Sequence, residues 1–171
     1  MENKKGFLYL VIGTIIFFVI LIILFAICQK NPTDLSSEAS SNSSLELSEL
    51  NFDWGEIPIK GGKVLHNFKL GNSGSEILRI NSIETSCMCT TARLITDQGE
   101  EGPSFSMAHQ AGRQDSWVGE ISPGEEAELT VIFDPLFHGP DGLGPITRTI
   151  TFQTNDIDNK TVELRLDGNV I

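Results

Sequence analysis

Two cysteines one residue apart, in Ser86-Cys87-Met88-Cys89-Thr90, are the side chains of this sequence best suited to chemistry. On a regular strand residues i and i+2 share a face, yet their Cβ atoms then stand too far apart for the ~3.8 Å typical of a disulfide. Closing the pair requires a turn or bulge. A glycine between them would allow positive φ, whereas Met88 restricts the turn to conformations open to ordinary residues and makes a strained i,i+2 disulfide harder to form. Cys87 and Cys89 are thus redox or metal candidates with three readings: a structural pair, oxidised or buried; a redox-active or partner-linking pair; or ligands to a soft metal such as Cu(I).

A metal would need further ligands. Met88, His66, His109 and His138 are the soft or imidazole candidates, and none has ligand-like spacing to the cysteines, so no metal or cofactor is expected. His66 shares a face with Phe68 and Leu70 and reads as a hydrogen-bonded edge histidine. His138, before Gly139-Pro140, and His109 read as exposed loop residues. The chain has no G-x-S-x-G, HExxH or Walker loop, and its three histidines and scattered acids do not space as a triad. Binding is expected rather than catalysis.

The elements around the cysteines read as strands. Val64, His66, Phe68 and Leu70 alternate with polar or exposed positions, as do Ala127, Leu129, Val131 and Phe133, Ile150 and Phe152, and Val162, Leu164 and Leu166. Period two means one buried and one wet face. Turn formers separate the runs: Gly61-Gly62, Asn72-Ser73-Gly74, Pro123-Gly124, Gly139-Pro140-Asp141-Gly142 and Asn155-Asp156. The pattern predicts an all-β, immunoglobulin-like β-sandwich of about seven strands over residues 50–171. An antibody-type domain is disfavoured: strands 64–70 and 146–154 hold no cysteine pair, and the only tyrosine is Tyr9. Residues 96–116 form a long loop with little periodicity, read as either a floppy insertion or a recognition loop offering Phe105 and Met107.

The N-terminal part decides the compartment. Residues 7–27 carry no charge, and at ~1.5 Å per residue they make a rod of roughly 30 Å, the thickness of a hydrocarbon core. A single transmembrane anchor over 7–28 is predicted. Lys4 and Lys5 precede it and Lys30 alone follows, which leaves residues 1–6 cytoplasmic and the C-terminal domain extracytoplasmic. The span is longer than a cleaved signal's apolar core, and Ile27 departs from the small residue expected before a lipidated Cys28. Residues 29–49 hold seven serines and no aromatic residue, and read as a flexible tether of about 25 Å. The chain carries −11, and residues 1–30 hold three Lys and one Glu, so the remainder carries −13. Such a domain does not suit nucleic acid, and its charge is explained by solubility.

The order Phe52-Asp53-Trp54-Gly55-Glu56-Ile57, His66-x-Phe68-x-x-x-Asn72-x-Gly74, Leu78-x-Ile80, Ser86-Cys87-Met88-Cys89-Thr90, Pro123-Gly124-Glu125, Phe133-Asp134, Thr154-Asn155-Asp156 and Leu166-x-Gly168 resembles the bacterial domain-of-unknown-function family 1573. That family is related to Hydin-type immunoglobulin-like domains. The resemblance covers about residues 50–171 and implies an extracytoplasmic sandwich, often membrane-tethered, without an established activity. Two departures stand out: Met88 replaces the family's usual Gly, and the segment between Cys89 and Pro123 is longer. Together these readings predict a single-pass envelope protein whose partners are the lipid bilayer, through its anchor, and protein or other envelope components.

Overall fold

The period-two segments form strands, and five further strands join them, two of only three residues. In chain order these are β1 (Leu45–Leu47), β2 (Asn51–Ile57), β3 (Val64–Asn72), β4 (Leu78–Thr85), β5 (Thr90–Ile95), β6 (Gly119–Ile121), β7 (Glu126–Phe133), β8 (Gly144–Thr154) and β9 (Thr161–Val170). The computed structural model describes residues 42–107 and 116–171, and Tyr9 besides. Apart from Tyr9, the predicted anchor at 7–28 lies outside the described residues, as do residues 1–6, His109 and most of the tether; among those described, no helix is long and apolar enough to cross a membrane.

One sheet has the order β1-β3-β7-β5 and the other β2-β9-β8-β4-β6. All pairings are antiparallel except β2 with β9, which run parallel from Asn51 opposite Arg165 to Ile57 opposite Val170. The inward positions of both sheets meet in one core, where Phe68, Leu70, Ile80, Leu129, Phe152 and Leu164 are fully buried. A second, smaller cluster of Ile57, Cys89, Phe133 and Val170 closes one end of the sandwich. The all-β sandwich predicted from alternation is therefore present, with nine strands instead of seven. β1 and β6 escape the pattern because three residues are too few to show a period.

Two boundaries differ from the sequence reading. The folded domain begins inside the stretch 29–49: Leu45 is buried, its N–H donates to Asp156 Oδ2 at 2.9 Å, and β1 pairs with the end of β3. The Ser-rich composition hides this because one buried acceptor and one partner strand suffice to order three residues. The segment 96–116 also does more than loop out. Its first part folds back on β5 through the bridges Ile95 to Glu101 and Ala92 to Phe105, and the Phe105 ring, 1% exposed, enters the core against Trp117 at 5.4 Å between centroids. Phe105 is thus a core residue and is not displayed for recognition; Met107 is half-buried.

The sheet edges are each protected. β1 and β6 are short; β5 is partly covered by residues 101–105; β2 carries Asp53 and Glu56 and a bulge between them, where Gly55 takes φ +68°. Charge, shortness, bulges and cover are the usual means by which sheets refuse added strands.

Candidate functional site

The five residues 86–90 leave β4, turn, and enter β5. Ser86 ties the turn to β8: its N–H donates to the Thr149 carbonyl and its Oγ accepts from Thr149 N–H, both at 2.9 Å. The Thr90 N–H donates to the Cys87 carbonyl at 3.1 Å, so Met88 and Cys89 occupy the two central positions of a four-residue turn. The buried Thr85 hydroxyl sits between the carbonyls of Cys87 and Thr90, at 2.9 and 3.0 Å. Among the described residues the only non-glycine with positive φ is Ser82, so Met88 meets the turn without strain. This turn brings the cysteines together where a strand would hold them apart.

Both thiols are free, Cys89 buried and Cys87 half-buried. The Cys89 N–H donates to Cys87 Sγ at 3.4 Å, and Cys89 Sγ lies 3.7 Å from Thr90 Oγ1. Two further side chains arrive from elsewhere in the chain, one from a strand and one from a loop. Arg148 on β8 donates through Nε to Cys89 Sγ at 3.1 Å, and His138 places Nε2 3.3 Å from Cys87 Sγ. Successive turns hold His138: Leu136 N–H donates to Asp134 Oδ1, Gly139 N–H donates to the Leu136 carbonyl, and a 3₁₀ turn follows at Gly139–Gly142. The Asp134 N–H donates to the Cys89 carbonyl at 2.9 Å and anchors that loop to the cysteine turn.

The two thiols are electrostatically unequal. Burial pushes Cys87 up, but hydrogen bonds from the Cys89 side chain and backbone, the contact with His138 and the charge of Arg148 outweigh it, and its pKa lies below the ordinary cysteine value. Burial and the hydrogen bond with Cys87 push Cys89 up, and Thr90 and Arg148 offset this only in part, so its pKa lies above. Cys87 is the first to become a thiolate.

The donor atoms of Cys87, Cys89 and His138 all lie within 4.8 Å of one another. Sequence spacing misses His138 because fifty-one residues separate it from Cys87; only the pairing of Thr90 with Phe133 brings the loop after β7 to the cysteine turn. Arg148 carries no motif at all. His66 lies elsewhere, on β3, with Nε2 2.7 Å from Glu49 Oε1 and its ring stacked on Phe52, as an edge histidine should be.

Other turns serve the fold. Asn72 Nδ2 donates to the carbonyls of Glu76 and Ile121, while Asn155 donates through Nδ2 to the Ile77 carbonyl and accepts from the Arg79 N–H at Oδ1, so these polar residues tie the end of the sandwich opposite the cysteines. A groove of about 690 Å³ there, lined by Leu45, Leu47, Glu49 and Val162, contains neither cysteine. In a second groove, of about 610 Å³, the charges already face each other: Arg165 donates to Asp167 at 2.8 and 2.9 Å, and the Thr147 hydroxyl donates to Asp167 at 2.6 Å.

Comparison with known proteins extends the fold reading. A structure of a protein of unknown function from Porphyromonas gingivalis superposes with a TM-score of 0.56 at 21% identity, over 81% of this chain and 51% of that one. This chain therefore spans about half that protein's length. The PapD-like domain 7 of human CEP192 gives 0.46 at 14% identity, over 82% of this chain and 92% of that one. No curated protein matches significantly. The likeness to the solved structures is one of fold. Residues 45–118, which run from β1 past β5 and include both cysteines, match the family described as "Protein of unknown function (DUF1573)", in support of the family that the motifs resemble.

Proposed function

We propose that this chain is a membrane-tethered, extracytoplasmic module of the bacterial cell envelope, with a Hydin-type immunoglobulin-like domain that binds or organises another envelope protein and acts by binding rather than catalysis. Residues 7–28 would hold it in the bilayer with the N-terminus cytoplasmic. The observation that carries the binding reading is a set of exposed apolar residues on two joined loops at the cysteine end. Leu136, Phe137 and Leu143 are 53%, 48% and 53% exposed on the β7–β8 connection, and Met88, 41% exposed, sits on the turn to which that connection is anchored. Isolated exposed apolar residues are ordinary, but large ones on two joined loops favour a protein contact. The guarded edges of both sheets favour this end over strand addition.

A photo-crosslinking amino acid placed at position 137 in cells tests the reading, with position 157, exposed at the opposite end, as the comparison. A discrete, light-dependent protein adduct at 137 and none at 157 is expected. Equal adducts at both positions, or none at 137, would remove the support for this surface.

A further inference from the structure

The Cys87, Cys89 and His138 donors converge from two loops, and their arrangement fits a specific ion. We infer that these three side chains form a site for one monovalent copper ion. This stands apart from the partner-binding reading and from the membrane anchor, since it uses only the geometry of the folded domain.

The donor set is two thiolates and one imidazole, a soft set that selects Cu(I). Metal bonds of about 2.0 to 2.3 Å separate the donors of a three-coordinate site by roughly 3.5 to 4 Å. Cys87 Sγ and His138 Nε2 stand at 3.3 Å, and the whole triad lies within 4.8 Å, so small side-chain rotations complete the site. Charge separates the monovalent ion from a divalent one. Two thiolates and one Cu(I) leave −1, which the Arg148 guanidinium, 3.1 Å from Cys89 Sγ, neutralises; Zn(II) in the same place would leave a net positive charge beside buried Cys89. Arg148 would act as an outer-shell partner that orients the inner sulfur. The burial gradient gives the ion a route in, with exposed His138 outermost, then half-buried Cys87, then buried Cys89. Binding exchanges the two thiol protons for the ion, and the protons pass to solvent; no electron is transferred when copper is supplied as Cu(I).

The test uses the full chain in detergent, reduced and anaerobic, carrying Cys28→Ser so that Cys87 and Cys89 are its only thiols. Cu(I) is titrated against a chromogenic Cu(I) chelator, with Zn(II) titrated separately, and the copper form is measured by X-ray absorption. One equivalent of copper retained against the chelator, with two sulfur neighbours and one nitrogen, is expected. His138→Ala, on an exposed loop, should keep the fold, lose the nitrogen neighbour and weaken copper binding at least tenfold. Cys87→Ser and Cys89→Ser should abolish it. Failure to compete with the chelator, tighter binding of Zn(II) than of Cu(I), or copper binding unchanged by His138→Ala would each overturn the assignment.

Discussion

Arg148 reaches from β8 to Cys89, its Nε donating to the buried sulfur at 3.1 Å while its guanidinium carbon lies 5.3 Å from the centre of the Phe133 ring. A half-buried cation fixed against an aromatic face is a permanent charge beside two thiols, and it favours the thiolate of each. The unequal pair should show this in its reactivity. Cys87 should alkylate first at neutral pH, with a rate that levels off at lower pH than an ordinary thiol's, while Cys89 should need more alkaline solution. Arg148→Met should move both profiles to higher pH. Peptide-resolved alkylation across pH checks this, and equal rates at the two sulfurs would contradict it.

Asp156 plays the corresponding part at the other end of the sandwich. Its burial pushes the carboxyl up, but donors from Asn159, Leu45 and Asp158 outweigh that and hold its pKa below the usual carboxylate value. Asp156→Ala should cost about 1.5 to 3 kcal/mol, because the buried Leu45 N–H and the hairpin amides lose a charged acceptor. Since the folded pKa is the lower one, this stabilisation is complete above the unfolded value of about 4 and fades as pH falls from there through the folded value. Denaturant melts of both proteins should therefore differ most at neutral pH and converge in acid. A gap independent of pH would mean that the charge of Asp156 is not what stabilises β1.

Gly74 and Gly71 sit three residues apart yet should respond very unequally to alanine. A Cβ on Gly74 would lie 2.3 Å from the Asn42 carbonyl oxygen and 2.6 Å from the Ser44 amide nitrogen, whereas one on Gly71 would meet nothing closer than 3.7 Å. Gly74→Ala should destabilise by about 1 to 3 kcal/mol, as overpacking against backbone does. Gly71→Ala should change stability by less than about 1 kcal/mol. Equal effects in equilibrium unfolding would show that residues 42–44 do not pack on this turn.

These residues also mark what the sequence makes legible. The strands at β3, β7, β8 and β9 are readable because a one-sided sheet imposes alternation on them, and the turns between strands announce themselves through Gly, Pro, Asn and Asp, whereas in β4 the irregularity between Asn81 and Glu84 breaks the period. β1 is not readable, because Leu45 is fixed by an acceptor 111 residues away. The cysteines are visible as a motif, and Met88 correctly predicts an ordinary backbone for their turn. The partners that give them chemistry are invisible. His138 depends on the register of β5 against β7, and Arg148 on that of β8 beside the turn, and neither register is written in local spacing.

Phe105 offers the sharpest check on the segment that the sequence leaves open between floppy insertion and recognition loop. Its ring packs with the half-buried Trp117, and its backbone exchanges two hydrogen bonds with Ala92, at 2.8 and 3.0 Å, so the chain returning from Glu101 acts as an added strand on β5. Gly102 permits this path: a Cβ there would stand 2.9 Å from the Trp117 indole. Removing the ring should leave a cavity and unseat the added strand together. Phe105→Ala is expected to cost about 3 to 5 kcal/mol, and Phe105→Leu distinctly less because most of the volume is kept. Amide exchange at Ala92 should accelerate in the alanine variant more than at Leu129, which lies at the centre of the same sheet. A cost below about 1 kcal/mol, with Ala92 protection unchanged, would show that residues 96–105 are not part of the folded core.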